Sequence, residues 1–337
     1  MFIQINFLKK IKIIIMEKNH INNNIKINKN NLLYIENELE SETNKLHSYR
    51  LNYITKQKVL DEKKRIILLD WMMEVCSQLG FKRRTYYSSI VLVDLFFANY
   101  NNQLQTSQLQ LVGVCCLFLS AKNEEIKIPN VHFFALACAN AYTIGEILSF
   151  ERVILNELNW KIQFPNLSDW ANYIMTKWDN FVLDNINLPK FRKDKKYGNQ
   201  LFINFFLILD VISLDYYSLF IQEKGICVSL VFLLIGISMD YFSFNDVSNL
   251  FNNCNNVSKV VVFRQFFDSI FESEFKINKN EVSYYINYVC MFFKMNFQYE
   301  KPNMEALTIE EELQFQTHNS YNIESINKIL EYRNNKQ

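Results

Sequence analysis

Residues able to do chemistry are few in this sequence, and their spacing does not suit catalysis. The four histidines, His20, His47, His132 and His318, lie far apart, and no two are close enough to suggest a metal pair. None sits in a Ser-His-Asp context. His132, on a largely apolar stretch, reads as a half-buried residue with its hydrogen bonds satisfied. The six glycines are scattered, so no glycine-rich phosphate loop exists. Seven cysteines include no C-x-x-C pair and six lie in apolar runs, the pattern of buried free thiols in a reducing compartment rather than a zinc site. No cofactor is implied. The expectation is a protein that binds, without catalytic activity of its own.

The residues that do call for an explanation lie in "EKKRIILLDWMMEVCSQL", Glu62 to Leu79. Arg65, Leu69, Met72 and Cys76 share one helical face, and an arginine at the head of a core-facing stripe needs a buried acid. Asp94, set between "IVLV" and "LFF", is the candidate partner. Ile67, Trp71 and Glu74 share the other face, with Leu68 at its edge. That face either packs on a neighbour or forms a groove for an apolar peptide anchor with a basic flank.

Helices must position these residues. Six glycines and four prolines in 337 residues are too few for a β-rich or Rossmann-type chain, and 49% apolar residues supply a sizeable core. After the opening helix, a second is expected from a Thr85 N-cap. A third is expected at "TSQLQLVGVCCLFLSAK", with Ser107 and Gln110 at capping-box spacing. A fourth would have Pro129 in its first turn, and a fifth would open with the Thr143–Glu146 capping box. The third is apolar all round and must be central, with the other four around it. Beyond "KIQFPN" the pattern recurs, with a second greasy helix at "GICVSLVFLLIGISM". The repeat implies two tandem five-helix bundles. That apolar run is 15 residues long, short of the ~20 a membrane span needs. A formal net charge of +1 argues against nucleic acid as a partner. The first 30 residues read as a low-complexity extension without a signal peptide.

"RIILLDWMMEV" resembles the signature of the cyclin box, M-R-A-I-L-x-D-W-L-x-E-V. "LQLVGVCCLFLSAKNEEI" resembles its third helix and the A-K-x-E-E-I that follows, and "LSFERVILNELNWKI" its fifth helix. "LNWKIQFPNLSDWANYIM" and the tail "FQTHNSYNIESINKIL" are similar to the cyclin E group. The similarity runs from about Leu32 to Leu330 and is stronger in the first box. It implies an all-α fold of two tandem five-helix cyclin boxes with an N-terminal helix. The expected division is an extension over residues 1–30, the helix and first box over 31–162, the second box over 163–295 and a tail over 296–337.

The resemblance also implies a function: a non-catalytic subunit that activates a cyclin-dependent kinase and recruits substrates at the start of DNA synthesis, in nucleus and cytoplasm. The alternative is a cyclin-fold transcription-associated scaffold that activates no kinase. Carried over by motif, Lys122 and Glu151 are the pair that holds the kinase's mobile helix, with Leu119, Leu155, Trp160 and Ile162 as apolar contacts. Arg65 and Asp94 match the family's structural salt bridge. Ile67, Leu68, Trp71, Glu74, Leu109 and Gln110 match its docking groove for substrates or inhibitors bearing R-x-L. Three departures stand out. Lys64 replaces a usual methionine in the groove and is expected to repel the ligand's arginine. Asn123 replaces a large apolar kinase contact. The lack of any Ser-Pro or Thr-Pro removes the usual cyclin E phosphodegron. "KFRKDKK", Lys190 to Lys196, is either an import signal or a solvated basic loop.

Overall fold

The structure is a computed structural model that describes residues 29–50, 59–184, 195–238, 270 and 272–293. Ten α-helices account for most of them: α1 Lys29–Arg50, α2 Glu62–Gln78, α3 Arg83–Asn99, α4 Leu109–Glu124, α5 Val131–Ala137, α6 Ile144–Glu157, α7 Leu167–Asp184, α8 Lys195–Leu214, α9 Glu223–Ser238 and α10 Lys279–Phe293. Among the described residues no helix is long and apolar enough to cross a membrane. The chain divides into two compact units, with the boundaries inside α1 after Glu36 and inside α7 after Asp169.

In the first unit α4 is the axis. Every residue from Leu111 to Ala121 is buried, and the helix packs against α2, α3, α5 and α6. Its small residues set the spacing: a Cβ on Gly113 would stand 2.8 Å from Leu68 Cδ1 and 3.2 Å from Met72 Sδ, so α2 approaches closer than any side chain there would allow. Unlike the amphipathic helix the sequence suggests, α3 is buried from Thr85 to Ala98. It touches α2, α4 and α6, and Asn166 beyond the fifth helix donates to Ser88 Oγ at 3.2 Å, so cover reaches its polar side too.

The ends of these helices differ from expectation in instructive ways. The N-cap of α2 is Asp61, whose carboxylate accepts from Lys64 N at 2.8 Å. Helix α3 starts at Arg83, which leaves Thr85 inside the helix, where its hydroxyl donates to Glu125. The capping box near α4 is formed by Gln105 and Gln108 around a 3-10 turn, not by Ser107 and Gln110. Pro129 precedes α5, whose N-cap is Asn130, and His132 is exposed rather than half-buried. The Thr143–Glu146 box is present in full, at 2.7 and 3.2 Å.

In the second unit α8, α9 and α10 pack on one another, and α9 is buried from Glu223 to Gly236. A Cβ on Gly225 would lie 2.6 Å from the Tyr285 ring, so α9 and α10 meet at that glycine. Glu36, from the start of α1, is almost fully buried here, with Lys224 Nζ at 2.8 Å and Lys177 Nζ at 3.3 Å. Burial pushes its carboxyl up, but the two lysines outweigh this and hold it below its ordinary value. Helix α10 was missed by the sequence reading, although Val282, Tyr285, Ile286, Val289 and Cys290 form a regular buried stripe along it. The helices expected at "FNDVSNLFNNC" and "VSKVVVFRQFFDSIFE" lie essentially outside the described residues, as do the extension, the tail and most of the 190–196 basic run.

Candidate functional site

The first candidate surface, the outward face of α2, rests on an internal anchor. Arg65 of α2 donates from Nε and Nη2 to the two carboxylate oxygens of Asp94 on α3, both at 3.0 Å, and the side chains are 1% and 0% exposed. A bidentate pair with no water around it fixes the rotation of α2 about its axis. That rotation decides which residues of α2 face outward.

On the outward face, Ile67 is 46% exposed, Trp71 is half-buried, and Glu74 is exposed and accepts from Gln78 Nε2 at 3.1 Å. Gln110, on the first turn of α4, is half-buried. Leu68 and Leu109 are only 5% and 7% exposed, so they floor this face rather than edge it. The cause is the close approach of α4 at Gly113, which draws Leu68 inward. Lys64 Nζ donates to Val59 O at 3.1 Å and lies 3.2 Å from Asp61 Oδ2. It stands at the opposite end of the face from Glu74, so the repulsion expected of it does not fall on a basic group held by Glu74.

The second surface is built on the last turn of α4. Lys122 Nζ donates to Glu151 Oε1 of α6 at 2.6 Å and stands 3.8 Å from the centre of the Phe118 ring. The glutamate is buried and the lysine about one-third exposed. Leu119 and Leu155 lie beneath this surface, 2% and 9% exposed. Trp160 is 60% exposed and Ile162 half-buried. The Trp160 backbone is left-handed, with φ +59°, and its N–H closes the end of α6 on Leu155 O at 2.7 Å. A bulky residue in that conformation and in water is strained on two counts. Asn123 is bound internally, donating to Glu124 and accepting from Gln163.

Several residues escaped the sequence reading. Ile144 and Leu148 are exposed, and their i, i+4, i+7 spacing with Glu151 was the available signal. Ile126, Ile128, Phe133 and Leu136 add 87%, 48%, 50% and 47% exposed apolar side chains on the segment after α4 and on α5. A polar network holds the end of α4. Arg84 donates to Glu124 at 2.8 Å and to Asp169, while Glu125 accepts from Lys82 N at 2.8 Å and from Thr85. Burial alone would lower the Arg84 pKa, but Asp169 and Glu124 raise it, so the guanidinium stays charged. These partners are 40 or more residues apart, a distance at which helical periodicity gives no signal.

Among the described residues no group of three or more His, Cys, Asp or Glu could hold a metal ion. Six thiols, at Cys76, Cys115, Cys116, Cys138, Cys227 and Cys290, are free and buried, and burial pushes that of Cys138 up to about 12.

A helix greasy on all sides, a bidentate anchor between the two helices before and beside it, and a lysine–glutamate pair at its end are now joined by an independent finding. Residues 34–163 match the family model described as "Cyclin, N-terminal domain". Over that region the chain is similar to the cyclin family. It is similar to the G1/S-specific cyclin-E1 of Gallus gallus, 37% identical over 164 residues, covering 48% of this chain and 38% of that one. The Danio rerio G1/S-specific cyclin-E1 is 45% identical over 116 residues, 34% of this chain and 28% of that one. Cyclin-B2-2 of Oryza sativa subsp. indica is 38% identical over 114 residues, 34% and 27% of the two chains. The matched region is thus less than two fifths of each relative's length. A viral cyclin from herpesvirus saimiri has the same fold, with a TM-score of 0.51 at 16% identity over 76% of this chain and 97% of that one. The described residues are built from α-helices, and the chain is similar to the cyclin E group over the matched region.

Proposed function

We propose that this protein is a cyclin, the regulatory subunit of a cyclin-dependent kinase, and acts at the start of DNA synthesis. The observation that carries the reading is the Lys122–Glu151 pair, set at the end of α4 beside exposed apolar side chains of α5 and α6. The pair joins two helices, yet Lys122 remains about one-third exposed. Its ammonium has donors left for main-chain carbonyls of a partner helix, and Trp160, Phe133 and Ile144 supply apolar contact. The relatives' printed names, G1/S-specific cyclins, support the stage of the cycle. Activation follows if this face binds the kinase's active arrangement more tightly than its inactive one. The Trp71 face would recruit substrates or inhibitors bearing R-x-L, and the protein would work in nucleus and cytoplasm.

The test is reconstitution with a purified cyclin-dependent kinase and a phosphate-transfer assay. The parent cyclin should raise kinase activity by orders of magnitude. Lys122→Glu should abolish that gain while keeping the helical circular-dichroism spectrum, at a lower melting temperature because it sets a second carboxylate against buried Glu151. Full activation by the folded variant would overturn the role of the pair.

A further inference from the structure

The outward face of α2 carries a charge at each end. Lys64, Ile67, Trp71 and Glu74 fall at i, i+3, i+7 and i+10, close to three turns of one face. Exposed Ile67 and half-buried Trp71 form the apolar middle. Glu74 marks one end, its carboxylate steadied by Gln78. Lys64 marks the other, and its ammonium is held rather than swinging free, by Val59 O at 3.1 Å and Asp61 Oδ2 at 3.2 Å. An ammonium has three donors, so this geometry leaves it able to take one more acceptor. Its side chain is 39% exposed.

We infer that this face selects a docking segment with opposite charges at its two ends: a basic residue at Glu74, an apolar anchor over Ile67 and Trp71, and a carboxylate at Lys64. Ten residues of helix separate the charged ends by about 15 Å. An extended peptide covers about 3.3 Å per residue, so the acid lies about five residues after the base. The inference rests on the reading of this face as a docking groove and adds to it the acidic residue that Lys64 demands. Lys64 is then a specificity-determining residue and not a defect in the groove.

Three fluorescent peptides test this by anisotropy with the 337-residue protein. Each has arginine, leucine two residues later, and glutamate, alanine or lysine at the fifth position after the arginine. Affinity should fall in that order, by about two- to fivefold between glutamate and alanine, as an exposed ion pair allows. The order should flatten at high salt and collapse in Lys64→Met, which still binds all three. Trp71→Ala should lose all three. Equal binding of the peptides by the parent protein overturns the charge selection while leaving the groove in place. Failure of all three to bind overturns the groove itself, and this inference with it.

Discussion

Arg65 and Asp94 neutralise each other inside the first unit. Both are out of reach of water and are matched by two parallel hydrogen bonds of 3.0 Å. Removing Asp94 takes away the carboxylate that binds Arg65 through both hydrogen bonds, and breaking a buried pair in this way costs about 3–5 kcal/mol. Asp94→Ala should therefore lower the melting temperature sharply. Glu62→Ala, on the partly exposed first turn of the same helix, should move it by little. Equal small shifts in thermal denaturation would sink the argument. This pairing was legible in the sequence because an arginine in an apolar stripe demands an acid, and the next helix offered one. The depth of Leu68, Leu109, Leu119 and Leu155 was not legible: periodicity gives the direction of a side chain, whereas depth depends on how near the neighbouring helix comes. The Arg84–Glu124–Asp169 network was hidden for a related reason, since its members meet only once the chain has folded back on itself.

At the scale of the helix, composition marked the central elements clearly. A segment apolar on every side has nowhere else to go, and α4 and α9 are buried accordingly. Helix ends were less legible, because Ser, Thr, Gln, Asn and Pro near a terminus offer several start points and tertiary contacts choose among them. Thr85 was taken from a capping role by Glu125. Two glycines separate local propensity from packing in a way that can be measured. Gly145, in the first turn of α6, has nothing closer to an added Cβ than Thr143 Oγ1 at 3.9 Å. Gly145→Ala should stabilise the protein by up to about 1 kcal/mol, because alanine loses less backbone entropy on folding. Gly225 is likewise in the first turn of its helix, α9, but its Cβ would meet the Tyr285 ring at 2.6 Å. Gly225→Ala should destabilise by about 1–3 kcal/mol, since the ring is wedged in the core and overpacking outweighs propensity. Chemical denaturation of both variants checks the opposite signs. The same sign for both would mean that the contact of α9 with α10 yields more easily than a close-packed core should.

At the scale of the whole molecule, charge and exposed grease act together. The chain carries 36 basic and 35 acidic residues, for a sequence pI near 7.5, so it has almost no net charge at neutral pH. Self-repulsion is then at its weakest where the protein would work. The first unit meanwhile presents Ile126, Phe133, Leu136 and Trp160, exposed by 87%, 50%, 47% and 60%. With little charge to keep copies apart, such side chains should associate until a partner covers them. The purified protein alone should therefore show a solubility minimum near pH 7.5, read by light scattering across a pH series. Ile126→Glu with Phe133→Glu should relieve it more than Asn101→Glu with Gln103→Glu, which adds the same charge at exposed polar positions. Net charge is identical in the two variants, so any difference between them belongs to the apolar face. If both raise solubility equally, charge alone governs association, and the exposed side chains carry no drive toward a partner.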